Sequence, residues 1–235
     1  MNGFRWTKNL GGSKVEDMKP RISNRQTAAL TLMEVLVVVF VLFVVAVILL
    51  PALAAAKKKS SKIGCVNQLK QIGLAVRIWS GDNWDKYPME VSVANGGAME
   101  LAALGDAVAV FQVMSNELST PKVLFCPSDP GVLFATNFGP GLTSKNISYF
   151  VGLAANTNSP QAFLSGDDNF QIGGVPVKSG LLEISSTTPV KWTAERHKFA
   201  GYIGLADCSV QQVGNSGLAK LIEQTGLATN RLAIP

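Results

Sequence analysis

The strongest feature of the hydrophobic pattern is an apolar segment near the N-terminus. Residues 35–56 form a run of 22 positions without a charged side chain, and most of them are Val, Leu, Phe, Ile or Ala. As a helix this run is about 33 Å long, which matches a hydrocarbon core of about 30 Å. We therefore predict a transmembrane helix over residues 30–56. Pro51 should kink this helix, because proline removes one helical hydrogen bond and clashes with the preceding turn.

The pattern changes to an amphipathic stripe after the apolar segment. Apolar residues recur three or four positions apart, and glycine, aspartate and asparagine follow at 81–83. This spacing predicts that the helix continues over residues 57–83 with one face against a core. The stripe consists of Ile63, Val66, Leu69, Ile72, Val76 and Trp79.

Residues 84–235 predict a globular head. A helix is expected over 106–118 with Asp106 as its N-cap, and a second helix from Ser216 to Gln224. Tyr202 begins a predicted hairpin that turns at Asp207 and Cys208. Together these elements predict the α+β class, with a long N-terminal helix packed on a small antiparallel sheet. The strands are expected at 122–126, 147–154, 190–193, 202–206 and 209–213.

The formal net charge of +5 is concentrated at the N-terminus. Residues 1–29 carry six Lys/Arg and two Asp/Glu, whereas residues 30–235 carry 15 and 14. A nearly neutral body is a poor partner for phosphate, so we expect no nucleic-acid binding. A basic leader before an apolar run is typical of a targeting segment, and its excess of Lys/Arg favours an N-terminus inside. Removal of an ordinary signal peptide is the alternative, because residues 51–56 are rich in alanine.

Residues 28–39 (AALTLMEVLVVV) resemble the prepilin cleavage and methylation signature of type IV pilins and type II secretion pseudopilins. The resemblance implies that Ala29 is the last residue of a cleaved cytoplasmic leader, residues 1–29. Leu30 is then the first, N-methylated residue of the mature chain, and Glu34 occupies the family's acidic position. Pro51 falls where pilin helices commonly carry a proline.

Further segments extend the resemblance along the chain. They look like parts of major-pseudopilin-like proteins of planctomycete and verrucomicrobial bacteria, with Cys208 in place of the usual glycine. The resemblance therefore implies a pilin-like fold with residues 84–235 as its head. The matching segments are 65–75, 117–129, 148–152, 164–167 and 204–211.

The resemblance implies a structural subunit and not an enzyme. A prepilin peptidase/methylase would process it in the cytoplasmic (inner) membrane. An assembly platform would then add it to other pilin or pseudopilin subunits in a type II secretion pseudopilus or a type IV pilus-like filament. The helix would contact membrane lipid, and the head would be periplasmic or extracellular. The alternative is a single-pass, membrane-anchored surface binding protein that does not polymerise. The single histidine, His197, is expected in a surface loop or at a strand edge.

Glu34 is the candidate assembly residue. A carboxylate at the edge of an apolar helix must find a partner or stay protonated, and the helix itself is expected to offer none. Cleavage would create a positive amine on Leu30, four residues away on the same helical face. Resemblance to pilins implies that the amine of a neighbouring subunit pairs with Glu34. Snorkelling of Glu34 to the membrane surface is the alternative.

Three cysteines allow one disulfide and one free thiol. Cys65 lies beside the stripe, and Cys126 ends a predicted strand expected to pack on it. We therefore predict a bond between Cys65 and Cys126 on the exported side, where oxidation is permitted, with Cys208 free. Three reduced cysteines are the alternative.

Asp167, Asp168 and Asn169 form an oxygen-rich cluster of the kind that calcium prefers. Major pseudopilins often bind calcium in a loop of the sheet domain, so the resemblance supports these three residues as ligands. A solvated acidic turn is the alternative. No other cofactor is expected.

Overall fold

The computed structural model describes residues 31–235, so Ala29 and Leu30 at the predicted cleavage site lie outside the described residues. The described chain is α+β, with one long apolar N-terminal helix and a domain of antiparallel strands, as the sequence predicts. It divides after Leu49 into two compact units, which are described separately. Among the described residues, α1 (Leu32–Asp82) is the one helix long and apolar enough to cross a membrane.

The first unit contains the N-terminal part of α1, residues 32–49. All of its side chains are exposed, and the sequence has no charged residue between Glu34 and Lys57. Valine dominates this part and is a weak helix former in water. In an apolar medium, however, a helix is favoured because it satisfies every backbone polar group internally.

The second unit begins with the rest of α1, which buries one face against the head. Leu69, Ile72 and Val76 are at most 2% exposed, and their spacing puts them on the same face. The predicted stripe is confirmed from Val66 onward. The prediction is wrong for Ile63, the first residue of the stripe, which is 52% exposed. The head covers this face of α1 only further along the helix.

The C-terminus of α1 lies within the predicted stop, at Asp82. The backbone N–H of Asp85 donates to the carbonyl of Ser80 at 2.9 Å, which satisfies one of the last helical carbonyls. Asp85 adopts a left-handed φ of 56°, a conformation that cannot continue the helix. Pro51 lies inside α1 with helical residues on both sides, and its effect on the helix axis stays a prediction.

Short helices connect α1 to the sheet. The predicted helix over 106–118 is confirmed in place, but it is broken at Met114, where ψ is 22°. Asp106 caps it as expected, because its Oδ1 accepts a hydrogen bond from the N–H of Ala109 at 3.0 Å. The helices are α2 (Met99–Ala103), α3 (Ala107–Val113) and α4 (Ser115–Leu118).

The predicted strand over 122–126 is wrong. Residues Pro121–Leu124 form a 3₁₀ turn, with Pro121 at its first position. The Oγ1 of Thr120 accepts a hydrogen bond from the N–H of Lys122 at 3.4 Å. Proline fixes φ near the helical value, so the local chemistry outweighs the apolar content of the segment.

Strands in the described chain form two antiparallel sheets, one six-stranded and one three-stranded. The strands are β1 (Tyr149–Gly152), β2 (Phe163–Asp167), β3 (Phe170–Ile172), β4 (Val175–Pro176), β5 (Gly180–Ile184), β6 (Val190–Trp192), β7 (Ala200–Leu205), β8 (Val210–Gly214) and β9 (Asn230–Ile234). The larger sheet has the order β5-β9-β1-β2-β7-β8, and the smaller sheet has the order β4-β3-β6.

Four predicted strands are confirmed as β1, β6, β7 and β8, and β7 and β8 form the predicted hairpin. In its turn the N–H of Ser209 donates to Asp207 Oδ1 at 2.8 Å, and Cys208 adopts a positive φ of 66°. The last helix, α5, is Asn215–Gln224, so its N-cap is Gly214 and the predicted cap Ser216 is wrong. The strands β2, β3, β4, β5 and β9 were not predicted.

Alternating residues of β1 face two different cores, as the period of a strand requires. Tyr149 and Val151 belong to the core that contains the buried face of α1 and the short helices. Phe150 belongs to a second core with Trp192 of the smaller sheet and Leu218 of α5. The six-stranded sheet therefore lies between two layers, and Cys65 and Cys126 are buried on its α1 side.

Candidate functional site

The first candidate site is the apolar surface of α1. Every large hydrophobic side chain from Leu32 to Leu53 is at least 40% exposed. These side chains occupy all sides of the helix, so none of its faces suits water. Monomeric soluble proteins rarely expose contiguous apolar patches larger than about a few hundred Å². By length and composition, this part of α1 is therefore compatible with a membrane span.

Glu34 caps the N-terminus of α1. Its Oε2 accepts hydrogen bonds from the Thr31 backbone N–H at 3.1 Å and from the Thr31 hydroxyl at 3.3 Å. In return, Thr31 Oγ1 accepts a hydrogen bond from the Glu34 N–H at 3.2 Å. This reciprocal pair is a capping box, and the carboxylate also suits the positive end of the helix dipole. The expectation that the helix offers Glu34 no partner is therefore wrong.

The second candidate site is centred on Cys65 and Cys126, which form a disulfide in the structure. Their Cα atoms are 5.3 Å apart, and both residues are fully buried. The bond joins α1 to the segment after the 3₁₀ turn, across a sequence separation of 61. In the chain-entropy account, closing such a loop stabilises the fold by about 4 kcal/mol. Cys208 carries the free thiol, and burial raises its pKa.

His197 lies against this disulfide. Its Nε2 is 3.3 Å from Cys126 Sγ and 3.4 Å from Asp167 Oδ2. The residue is only 5% exposed, so its expected place at the surface is wrong. Burial, followed by the positive charges of Arg196 and Lys62, lowers the pKa of His197 to about 4. The imidazole is therefore neutral at pH 7.

Asp167 ends β2, and its carboxyl group is fully buried. Oδ2 accepts a hydrogen bond from the backbone N–H of Tyr202 on β7 at 2.8 Å and faces His197. Oδ1 has no hydrogen-bond partner among the residues that the structure describes. Burial raises the pKa of Asp167 to about 7, although the Tyr202 N–H and the charge of Arg196 oppose this. The group therefore titrates near neutral pH.

Asp168 and Asp129 share the guanidinium group of Arg196. Nη2 of Arg196 is 2.7 Å from Asp129 Oδ2, and Nη1 contacts Asp168 Oδ1. Nη1 also donates to the carbonyl of Ser148 at 2.8 Å. The three charged side chains are at most 12% exposed, so this is a largely buried ionic network. Burial raises the pKa of Asp168 to about 6, with Arg196 acting in the opposite direction.

The three residues expected as calcium ligands have different protein partners. Asp167 contacts the histidine, Asp168 pairs with Arg196, and Asn169 Nδ2 donates to Thr193 Oγ1 at 3.3 Å. The alternative of a solvated acidic turn is wrong, because Asp167 and Asn169 are buried. Calcium binding at these residues stays a prediction. Among the described residues, one group of three His, Cys, Asp or Glu ligand atoms lies within 4.8 Å, and its members are Cys65, Cys126 and His197.

A cavity of about 750 Å³ opens beside this cluster. Its walls come from residues 54–62 of α1 and from the chain around β7 and β8. The charged side chains of the lining are basic, so the cavity has a positive character. The lining includes Lys57, Lys62, Arg196, His197, Lys198 and Gln212.

Sequence reasoning missed the roles of Arg196 and Asp129 and the burial of His197. These side chains meet partners far away in the chain, such as the Ser148 carbonyl, which is 48 positions from Arg196. The segment Glu195-Arg-His-Lys198 has neither a helical nor a strand period that would mark a buried residue. The one available signal was the scarcity of histidine in the chain, which does not specify a partner.

No family model, curated protein or solved structure matches this chain. Its α+β fold is therefore described from its own elements, and no activity or partner transfers to it from a relative. The basis for a function consists of the two sites above and the residues that resemble the prepilin signature.

Proposed function

We propose that this chain is a prepilin-like structural subunit of a filament. In this proposal, a prepilin peptidase cleaves after Ala29 and Leu30 becomes N-methylated. The apolar part of α1 holds the subunit in the cytoplasmic membrane with its N-terminus inside. An assembly platform then packs subunits into a type II secretion pseudopilus or a type IV pilus-like filament, with the pilin-like head outside the membrane.

The contrast within α1 is the observation that carries the proposal. Side chains from Leu32 to Leu53 are exposed, whereas Leu69 and Ile72 are at most 2% exposed. The exposed part has the length of a membrane span, about 20 residues. It is also apolar on every side, so it suits both lipid and the equivalent helices of other subunits. One surface can therefore serve first as an anchor and then as a polymerisation surface.

The N-terminus of α1 adds a second argument. Both hydrogen bonds from Thr31 to Glu34 use Oε2. Oε1 accepts no hydrogen bond from the described residues, so in this proposal it binds the positive amine that cleavage would create on Leu30. A carboxylate that accepts from the cap and from an amine of the next subunit would fix the axial position of one chain against another. Charge-assisted hydrogen bonds of this kind are about twice as strong as neutral ones.

The basic cavity favours a second candidate function. A membrane-anchored surface protein that does not polymerise could use Lys62, Lys198 and their neighbours to bind an anionic ligand. This alternative uses α1 as an anchor only. It therefore makes a different prediction for contacts between the apolar segments of neighbouring chains.

Mass spectrometry of the mature N-terminus tests the processing step. The proposal expects a chain that begins at Leu30 with one added methyl group and has 206 residues, which is 235 less the 29 of the leader. An N-terminus near residue 57 would instead show removal of an ordinary signal peptide. An intact leader in cells that contain a prepilin peptidase would also contradict the proposal.

Cysteine crosslinking tests polymerisation. In a Cys208→Ser background, Val37→Cys puts a thiol on the apolar surface, and Leu104→Cys puts one on the head as a matched control. Both parent side chains are exposed, at 48% and 77%. A filament is expected to give covalent oligomers through Val37→Cys when membranes are oxidised, and fewer through Leu104→Cys. Monomers alone from Val37→Cys would favour the non-polymerising anchor.

A further inference from the structure

We propose that Cys65, Cys126 and His197 bind a Zn²⁺ ion when the two cysteines are in the dithiol form. The two Sγ atoms and a ring nitrogen of His197 lie within 4.8 Å of one another, and all three residues are buried. Thiolate sulfur and imidazole nitrogen are the ligands of structural zinc sites. This site is additional to the filament function and does not depend on it.

The interatomic distances fit a tetrahedral ion. With Zn–S bonds of about 2.3 Å and Zn–N bonds of about 2.0 Å, a tetrahedral angle separates a sulfur and a nitrogen ligand by about 3.5 Å. Cys126 Sγ and His197 Nε2 are 3.3 Å apart in the structure. The two cysteine Cα atoms, 5.3 Å apart, allow the sulfurs to separate by side-chain rotation once the S–S bond is broken. The backbone can therefore stay in place.

Asp167 is the nearest further carboxylate to His197, although it lies outside the group of three ligand atoms that are within 4.8 Å of one another. A nitrogen and an oxygen bound to the same tetrahedral zinc ion are about 3.3 Å apart. Asp167 Oδ2 is 3.4 Å from His197 Nε2, and Oδ1 of the same buried carboxyl has no partner among the described residues. To become the fourth ligand, this carboxyl would turn its free Oδ1 toward the sulfurs while Oδ2 keeps the hydrogen bond from Tyr202; otherwise a water molecule would take the fourth position. An unpartnered oxygen inside the protein is costly, and a metal bond would satisfy it.

The charges around the site also suit a zinc complex. Two thiolates and one carboxylate carry three negative charges, so the complex with Zn²⁺ has a net charge of −1. Lys57 and Lys62 of α1 line the same cavity as His197 and provide compensating positive charge. Burial of the complex is therefore less costly than burial of an isolated anion.

The change between the two forms is a balanced redox and exchange reaction. A dithiol reductant supplies two electrons and two protons, the S–S bond breaks, both cysteines become thiols, and the reductant becomes a cyclic disulfide. Zn²⁺ then displaces one proton from each thiol and bonds to the free electron pair of His197 Nε2. In a reducing compartment the ion would join α1 to the Cys126 segment. In an oxidising one the disulfide would do so.

Cobalt titration of the full chain in detergent micelles tests this site. The protein carries Cys208→Ser, so that only Cys65 and Cys126 provide thiols, and it is reduced with a phosphine under anaerobic conditions. The expected result is one Co²⁺ per chain, with the intense d–d bands of tetrahedral cobalt and a sulfur-to-cobalt charge-transfer band. One equivalent of Zn²⁺ should abolish both signals. The oxidised protein should show neither.

Substitutions identify the ligands. His197→Gln should weaken Co²⁺ binding at least about tenfold, in line with the loss of a metal-site residue. Lys198→Gln, an exposed neighbour on the same cavity wall, should bind like the parent protein. Absence of the cobalt bands from the reduced parent would overturn the proposal. Equal binding by His197→Gln, or by the oxidised protein, would also overturn it.

Circular dichroism covers the case in which reduction itself unfolds the head. If the reduced apoprotein loses structure, one equivalent of Zn²⁺ should restore it in the parent, because metal binding to a folded site is coupled to folding. His197→Gln should need at least about tenfold more Zn²⁺ for the same recovery. Failure of Zn²⁺ to restore the parent, or restoration of His197→Gln at the same concentration, would overturn the proposal.

Discussion

The two parts of α1 have nearly the same helical backbone and opposite surroundings. From Leu32 to Leu53 the apolar side chains are exposed on every side, whereas further along only one face is apolar and it is buried by the head. Both parts are α-helical, so helix formation itself cannot explain the difference. What differs is the environment that satisfies the side chains. The head supplies it for the second part, whereas no described residue covers the first.

The start of α1 and the head also differ in how they hold a carboxylate. Glu34 is exposed at the start of α1 and is held by local hydrogen bonds to Thr31. Asp167 is fully buried in the head and is held by the distant Tyr202 and His197. Local bonds survive a change of environment, whereas those of Asp167 exist only when the head is folded.

The largest expected effect comes from a lysine placed in each part of α1. Ile72→Lys should destabilise the head by several kcal/mol or unfold it, because Ile72 is 1% exposed and a buried ammonium has no partner there. Val41→Lys should leave the melting temperature of the head unchanged and oppose membrane insertion by about 3 kcal/mol. Circular dichroism and membrane fractionation measure the two outcomes. Equal melting temperatures of the head in the two variants would contradict the difference in packing between the two parts of α1.

The bond between Cys65 and Cys126 should give the next largest effect. In oxidised protein, Cys65→Ser should reduce the free energy of unfolding of the head by about 4 kcal/mol, because the unfolded chain regains loop entropy. Cys208→Ser is the control, since that thiol is free. Urea denaturation measures both variants. A loss for Cys65→Ser no larger than for the control would show that the bond contributes little.

The pH dependence of stability should identify the buried carboxyl. The pKa of Asp167 is raised to about 7 in the folded protein, whereas an unfolded aspartate has its ordinary value near 4. Between these values the folded state binds the extra proton, so the stability that this group contributes is present below about pH 4 and is lost as the pH rises through about 7. The wild type should therefore become less stable relative to Asp167→Asn over this interval.

Other groups titrate in the same interval, which is why the variant is needed. The pKa of His197 is lowered to about 4 by burial, so its contribution is lost as the pH falls through that value. Burial raises the pKa of Asp168 as it raises that of Asp167, so the stability that Asp168 contributes is also lost as the pH rises. Urea midpoints at several pH values isolate Asp167 by difference. A difference between wild type and Asp167→Asn that does not change with pH would contradict the assignment.

The smallest effect on stability, about 1 kcal/mol, is expected at the cap of α1. Glutamine keeps a capping box but removes the charge, alanine removes both, and Thr31→Val removes the cap while keeping the charge. If Glu34 pairs with an amine of the next subunit, Glu34→Gln and Glu34→Ala should both lose filaments and Thr31→Val should keep them. Filament yield at matched membrane levels measures this. Normal filaments from both Glu34 variants would exclude the pairing.

The parts of the fold that the sequence predicted are those that local patterns determine. The apolar segment and stripe of α1, the cap at Asp106 and the hairpin turn at Asp207 each depend on residues only a few positions apart. The two cysteines that the sequence argument paired are also joined in the structure. That inference succeeded because the buried face of α1 was already identified.

The parts that were missed depend on distant partners. Strand β5 has only one buried residue, Ile184, and β9 pairs with it from 46 or more positions away. The ion pairs of Arg196 with Asp129 and Asp168 bring together residues from separate segments, and no spacing in the sequence marks them. Conversely, the apolar residues of 122–126 predicted a strand that does not form, because Pro121 begins a 3₁₀ turn there.

The position of β9 has a consequence for biosynthesis. Strand β9, Asn230–Ile234, lies between β5 and β1 and pairs with both. A ribosome makes this strand after both of its neighbours. The sheet therefore stays open along this seam during translation until residues 230–234 have been made and can insert. If the head is exported, its closure is a late event on the far side of the membrane.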